Sequence, residues 1–199
     1  MSKMLDLKEV TLVSITSIRI PETIKALQLS CSKIKFASVK LFTDVDLEVE
    51  GIEVVKVPKM NIVDYNRFVI YELYKYIETE FTLQIQSDGY IVNPDMWQHE
   101  FLQYDYIGAP WDFLEAEWSF DKKGEKIKVG NGISIRSKKV LEIPSKCNMP
   151  WIPRHGNYNE DTQICIWNRE LFIENGVTFA PFEVAKYFSH VVRIMKDIE

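Results

Sequence analysis

The chain has 199 residues, 46% of them hydrophobic and 13% aromatic, which is enough apolar material for one sizeable core and too much for a disordered segment. Its net charge of -5 gives no overall electrostatic case for a nucleic-acid partner. The first residues, MSKMLDLKEV, scatter charge where a signal core would be apolar, and no apolar run reaches the roughly 18 residues of a membrane span, so a soluble, cytoplasmic protein is expected.

In chain order, residues 10–17 (VTLVSITS) form a β-branched run that ends in hydroxyls and reads as a first strand. Pro21 suits the first position of a helix, with Glu22 in its first turn. Ile20, Ile24, Leu27 and Cys31 then recur at steps of four, three and four, predicting a buried stripe. Residues 38–43 and 52–57 read as two more strands, closed by Asp44 and Pro58. Residues 64–78 predict one long helix with Phe68, Tyr71, Tyr74 and Ile77 on one face, and residues 81–86 a fourth strand. This order is an α/β pattern.

The second half is read with a short helix over 94–103, opened by Pro94, and an aromatic loop over 104–124. Residues 128–136 alternate as a strand, with Val129, Ile133 and Ile135 on one face and Ser134 and Arg136 on the other. A loop over 144–159 precedes a helix over 160–174, capped by Asn159, facing the core with Ile164, Trp167 and Leu171, and ended by Asn175-Gly176. A strand over 177–180 and a helix over 182–196 follow. There is no internal repeat or linker, so one domain is expected over 1–199. Its two halves fall at about 1–92 and 93–199.

In open α/β sheets ligands bind beyond the carboxyl ends of the strands. Thr16-Ser17, Asp44 and Ser87-Asp88 all fall at such ends. A carboxylate there can hold Mg2+ or Mn2+, which prefer oxygen and share donors with substrate phosphates. Gly89 after Asp88 suits either a sharp turn or close approach to a ligand. Asp44-Val45-Asp46 is a rival carboxylate pair, and it equally suits a solvated turn.

Gly130-Asn131-Gly132 exposes backbone at a strand start, next to an amide that both donates and accepts; a bulge is the plainer reading. Glu160-Asp161 opens a helix, where carboxylates favour the dipole, and the same pair could serve as a general base or a clamp on a sugar hydroxyl. Arg67, in the first turn of the long helix, could meet a phosphate or pair with Asp64. His155 and His190 are isolated. The three cysteines, Cys31, Cys147 and Cys165, match no zinc spacing or disulfide framework.

Three stretches, QSDGYIVNPDMWQHEFLQYDYIGAPW (86–111), VGNGISIRSKKVL (129–141) and NEDTQICI (159–166), resemble in this order a family of GT-A-type glycosyltransferase domains from viral and bacterial chains. DYNRF (64–68) fits the long helix of that family. The similarity spans about 60–166, and DYIGAPW is its most specific part.

The resemblance implies a single GT-A-like, Rossmann-like domain with a mixed central β-sheet flanked by helices. It also implies a UDP-sugar donor, Mn2+ or Mg2+, and a glycan or glycoprotein acceptor, in a cytoplasmic setting, and is compatible with a virus-encoded protein or with one domain of a longer chain. The metal motif of the family maps onto Gln86-Ser87-Asp88. Asp88 is then the only carboxylate, with His190 as a candidate second ligand.

Thr16, Ser17, Asp44 and Arg67 would join Gln86, Ser87 and Asp88 around the donor. Gly130, Asn131 and Gly132 would lie near the sugar, although Ile133 stands where the family has a further glycine. Glu160 and Asp161 would be the catalytic carboxylates. Two alternatives remain open. A nucleotidyltransferase would be expected to carry a glycine-rich loop with Lys or Arg after the first strand. A non-catalytic carbohydrate-binding module would stack sugars on Trp97, Trp111, Trp118 and Trp151.

Overall fold

The computed structural model describes residues 4–111, 119–153 and 158–190. The fold is built on one six-stranded sheet, in the order β3-β2-β1-β4-β6-β5. The strands are β1 (Leu5–Ile15), β2 (Ile34–Thr43), β3 (Glu53–Lys56), β4 (Phe81–Gln84), β5 (Tyr106–Pro110) and β6 (Val129–Ser137). The first four run parallel; β6 is antiparallel to both β4 and β5. This is the mixed Rossmann-like α/β sheet that the sequence implies. β1 is buried without alternation from Val10 to Ile15, as a parallel strand covered on both faces must be.

Helices cover both faces: α1 (Ile20–Cys31), α2 (Ile62–Tyr71), α3 (Lys138–Lys146), α4 (Glu160–Thr162), α5 (Arg169–Glu174) and α6 (Phe182–Phe188). On one face α1 and α6 pack around Leu12, Leu41, Leu83, Ile107 and Ile135. On the other, one cluster joins Val13, Phe42 and Phe68 with Leu141 of α3, and a second joins Ile70, Tyr106, Trp111 and Trp167. Among the described residues no helix is long and apolar enough to cross a membrane.

Several elements differ from the sequence reading. The buried residues of α1 are Thr23, Ala26, Leu27 and Ser30, while Ile20, Ile24 and Cys31 are only partly covered. The two hydroxyls can be buried because each donates to the carbonyl four residues back, Thr23 to Arg19 O at 2.9 Å and Ser30 to Ala26 O at 2.9 Å. The small side chains then let the helix lie close to the sheet.

The expected helix over 64–78 starts at Ile62, because Asn61 Oδ1 accepts from the Val63 and Asp64 amides at 2.8 and 3.0 Å. It ends at Tyr71 and resumes as a 3₁₀ turn over Leu73–Tyr76, which packs Tyr76 against Phe42 and Phe68. The segment 94–103 is two 3₁₀ turns rather than one helix. The aromatic "loop" over 104–124 contains β5. It is an outer strand of the sheet, where Pro110 is tolerated. The loop expected from 144 begins inside α3, whose Pro144 is buried near its end.

The helix over 160–174 is interrupted by a buried π turn over Gln163–Trp167, and Phe172 rather than Leu171 is its buried residue beyond that turn. Residues 177–180 pair with the sheet only through a bridge of Phe179 to Tyr106. Trp118, His155 and the expected helix beyond residue 190 lie outside the described residues.

Candidate active site

Beyond the carboxyl ends of β1, β2, β3 and β4 lies a cavity of about 360 Å³. Five of the residues singled out from sequence line it together: Thr16, Ser17, Gln86, Ser87 and Asp88. The loop after β1 is held by its own hydroxyls. Thr16 Oγ1 hydrogen-bonds the carbonyl and amide of Ile18, and Ser17 Oγ accepts from the Met60 amide at 3.1 Å. That second bond ties the loop to the segment leading into α2. Ile18 and Ile62 are largely exposed and give the cavity an apolar rim.

Asp88 sits at the tip of a two-residue turn. Gln86 and Gly89 exchange backbone hydrogen bonds of 3.0 and 3.2 Å, so Ser87 and Asp88 are pushed out over the cavity. A Cβ on Gly89 would stand 3.4 Å from Ile133 Cγ1, an ordinary contact. Gly89 therefore closes the turn under Ile133. The turn is what presents Asp88 to the cavity.

Other candidates are placed elsewhere. Asp44 is not on the cavity wall; its Oδ1 is buried without a hydrogen-bond partner among the described residues, and Asp46 pairs with Lys56. Arg67 lines a neighbouring cavity of about 480 Å³ that shares Val57 and Met60 with the first. Its guanidinium lies 5.5 Å from the Trp151 ring centre and 5.7 Å from that of Tyr71.

Gly130, at φ 149, is packed by protein. A Cβ there would meet Cys165 Sγ at 2.7 Å and Trp111 Cη2 at 3.2 Å. Gly132, at φ 65, has open space where a Cβ would go. The side chain of Asn131 lies outside the described residues. His190 is exposed after α6, and among the described residues no three His, Cys, Asp or Glu side chains form a metal-binding group.

Glu160 and Asp161 are 7% and 8% exposed, far more buried than charges at a surface helix start. Glu160 Oε1 accepts from Arg136 Nη2 at 3.0 Å and from Gln84 Nε2 at 3.3 Å, and its amide donates to Asn66 Oδ1 at 2.9 Å. Asp161 Oδ1 accepts from the Thr162 amide at 2.7 Å. Burial, and then the charge of Glu160, push the Asp161 carboxyl up to about 8. Gln84 Nε2 also donates to the Tyr65 hydroxyl at 2.8 Å, and Tyr65 lines the strand-end cavity. Cys165 is wholly buried beside the pair, and burial pushes its thiol up to about 12.

Four residues of this arrangement escape the sequence reading: Arg19, Tyr65, Gln84 and Arg136. Among the described residues Arg19 is the one cation that lines the strand-end cavity, and it makes no ion pair with any of them. Its position in the loop after the first strand was the available signal. Arg136 has 0% exposure, a burial that its alternation in a strand does not announce. Of the tryptophans offered as sugar platforms, Trp111 is core and Trp97 packs edge-on against Phe101.

Residues 51–197 match the family model described as "Protein of unknown function (DUF5672)". The chain belongs to that family. The match takes in Asp88, Arg136 and the Glu160-Asp161 pair, while Thr16, Ser17 and Arg19 precede it. No curated protein matches the chain.

Among solved structures the chain is similar to S. aureus TarS, at 12% identity over 79% of this chain and 53% of that one, with a TM-score of 0.43. It is similar to the apo form of the glycosyltransferase GlyE of Streptococcus pneumoniae TIGR4, at 12% identity over 88% and 46%, with a TM-score of 0.45. It is also similar to a CMP:2-keto-3-deoxy-manno-octonic acid synthetase in complex with CTP, at 11% identity over 88% of each chain, with a TM-score of 0.45. The chain spans about half the length of the TarS and GlyE structures.

Proposed function

We propose that this protein is a metal-dependent glycosyltransferase that moves a sugar from a UDP-sugar to a hydroxyl of a glycan or glycoprotein. The observation that carries this reading is the strand-end cavity, which Thr16, Ser17, Gln86, Ser87 and Asp88 line together. The motif resemblance in residues 60–166 points the same way.

Among the described residues that line the cavity Asp88 is the only carboxylate, in the company of the hydroxyl side chains of Thr16, Ser17 and Ser87. This donor set suits Mg2+ or Mn2+ that takes its remaining ligands from phosphate and water, and it does not suit an all-protein cage. Asp88 would hold the ion, which when bound neutralises charge on the diphosphate. Ile18 and Ile62 offer the base an apolar rim, and Arg19 offers the phosphates a fixed positive charge. Glu160 and Asp161 would act at the sugar or acceptor end, beyond Tyr65.

The test is thermal stability with UDP, GDP and CMP, each with Mn2+ and with EDTA, on wild type and Asp88→Ala. A ligand that binds only the native state must raise its melting temperature. The expected result is a UDP-specific shift that needs the metal and disappears in Asp88→Ala, with the unliganded fold intact. Equal shifts from all three nucleotides, or a UDP shift indifferent to EDTA, count against it.

Arg19 in the loop after β1 favours one second reading, a nucleotidyltransferase, although that loop carries no glycine. Release of pyrophosphate from CTP in the presence of a sugar acid would support that reading over sugar transfer.

A further inference from the structure

A chain of polar contacts runs from the strand-end cavity into the middle of the molecule. Tyr65 lines the cavity, and no described residue accepts its hydroxyl proton. The Tyr65 oxygen accepts from Gln84 Nε2 at 2.8 Å, and the same nitrogen reaches Glu160 Oε1 at 3.3 Å. Arg136 Nη2 meets that carboxylate oxygen at 3.0 Å, and Arg136 Nε donates to Ser134 Oγ at 3.2 Å. Gln84 and Arg136 are 1% and 0% exposed, yet Gln84 Oε1 and Arg136 Nη1 have no hydrogen-bond partner among the described residues. Buried polar atoms are rarely left so, and here one acceptor and one donor are orphaned on two side chains that share the same carboxylate oxygen.

We infer that Tyr65, Gln84 and Arg136 are positioning residues that couple the strand-end cavity to the carboxyl pair: Tyr65 meets the ligand, Gln84 links its hydroxyl to Glu160, and Arg136 commits Glu160 to an ion pair, leaving Asp161 as the carboxyl that keeps a proton. This rests on the reading of the cavity as a nucleotide site. The division of roles follows from the donors. Two adjacent buried carboxyls cannot both be charged cheaply, and the one that receives a guanidinium and an amide keeps the charge. The upward push on Asp161 agrees.

The titratable and charged groups facing the pair are Arg136 from β6, Tyr65 from α2, Tyr106 from β5 and Cys165 from the π turn. None of the other three can take over the role of Arg136: burial raises both tyrosines and the cysteine, keeping them neutral at ordinary pH. Asp161 then enters a reaction as a hydrogen-bond donor or acid, and becomes a base only once it loses that proton.

The experiment follows the side-chain carboxyl carbons of Asp161 and Glu160 by carbon-13 NMR through pH 4–10, on the full chain with Mg2+, with and without UDP. In wild type, Asp161 is expected to titrate on the alkaline side of neutrality. In Arg136→Met the alkaline titration should move wholly or partly to Glu160; Arg136→Gln, which also removes the charge but can still hydrogen-bond, should do the same and serves if the methionine variant does not fold, while Arg136→Lys, which keeps the charge, should leave the titration on Asp161.

UDP should displace the Asp161 midpoint by half a pH unit or more in wild type. In Gln84→Leu it should bind with less than a threefold loss of affinity and leave the midpoint in place. An Asp161 midpoint below pH 5, or one unmoved by removal of the Arg136 charge, overturns the division of roles. A midpoint still displaced by UDP in Gln84→Leu overturns the coupling. Failure of UDP to bind at all removes the nucleotide reading and the coupling with it, while the titration of Asp161 still decides the division of roles.

Discussion

Glu160 and Asp161 are neighbours in sequence, equally buried, and differ in what they face. Glu160 has the Arg136 guanidinium; Asp161 has a backbone amide and the charge next door. Removing Arg136 alone strands Glu160 in the interior, so Arg136→Met should cost on the order of 3–5 kcal/mol. Replacing both partners, Arg136→Met with Glu160→Leu, should cost less than the single change. Urea unfolding of the three proteins checks the order, and a double variant weaker than the single one defeats the argument.

Asp161 has a pH signature as well. Its carboxyl is raised from the unfolded value of about 4 to about 8, so the folded state binds the proton more tightly. The stability linked to that proton is complete below about pH 4 and is lost as pH rises to about 8. Asp161→Asn cannot ionise, and its stability relative to wild type should increase from pH 5 to pH 8.5. Melting curves at the two pH values test this, and a relative stability that decreases over that range would contradict the burial argument.

The connection between elements rests heavily on Asp105, just before β5. Its carboxylate accepts from Ser137 Oγ at 2.7 Å, the Thr178 amide at 2.9 Å, Thr178 Oγ1 at 3.0 Å and Lys139 Nζ at 3.1 Å. It thus ties β5, the β6–α3 junction and the segment before α6. Burial alone would raise this carboxyl, but the donors from Thr178, Ser137 and Lys139 outweigh it and hold it below the usual range. Asp105→Asn should cost about 1–3 kcal/mol near neutrality, the scale for losing charged hydrogen bonds. The cost should shrink as pH falls through the lowered titration of Asp105, because the wild type then loses the same charge. A cost that stays constant down to pH 2.5 would show that the charge contributes nothing.

Asp105 also shows why the second half of the chain was hard to read. The first four strands are continuous β-branched or apolar runs closed by polar ends, and periodicity finds them. β5 is five residues containing Gly108 and Pro110, and it is a strand because β6 and Asp105 hold it there. Pro144 marks a loop by propensity, but α3 carries it in its last turn, where its ring is buried in the core. The π turn depends on Gln163, which bonds both the amide and the carbonyl of Ile152, a pairing across eleven residues that no local pattern encodes.

At the scale of the molecule, the strand-end carboxylate and hydroxyls were legible because chain direction alone brings parallel strand ends to one edge. The depth of the site was not. Whether Arg67 turns into the cavity after β4 or into its neighbour depends on helix rotation, and the structure sends it toward Trp151.

The two adjoining cavities therefore make different predictions for where a nucleotide binds, and amide hydrogen exchange separates them. With UDP and Mg2+ at a hundredfold excess over the dissociation constant, the native state gains about 2.7 kcal/mol, which slows globally exchanging amides everywhere. Amides that exchange by local opening respond only near the ligand. Occupation of the strand-end cavity should slow exchange in 16–19 and 86–89, whose amides surround Asp88 and Arg19. Exchange in 72–76, beside Arg67, should change little. Protection confined to 72–76 and to 151–152 would place the nucleotide against Arg67 and Trp151 instead, and would leave the cavity at Asp88 for the acceptor.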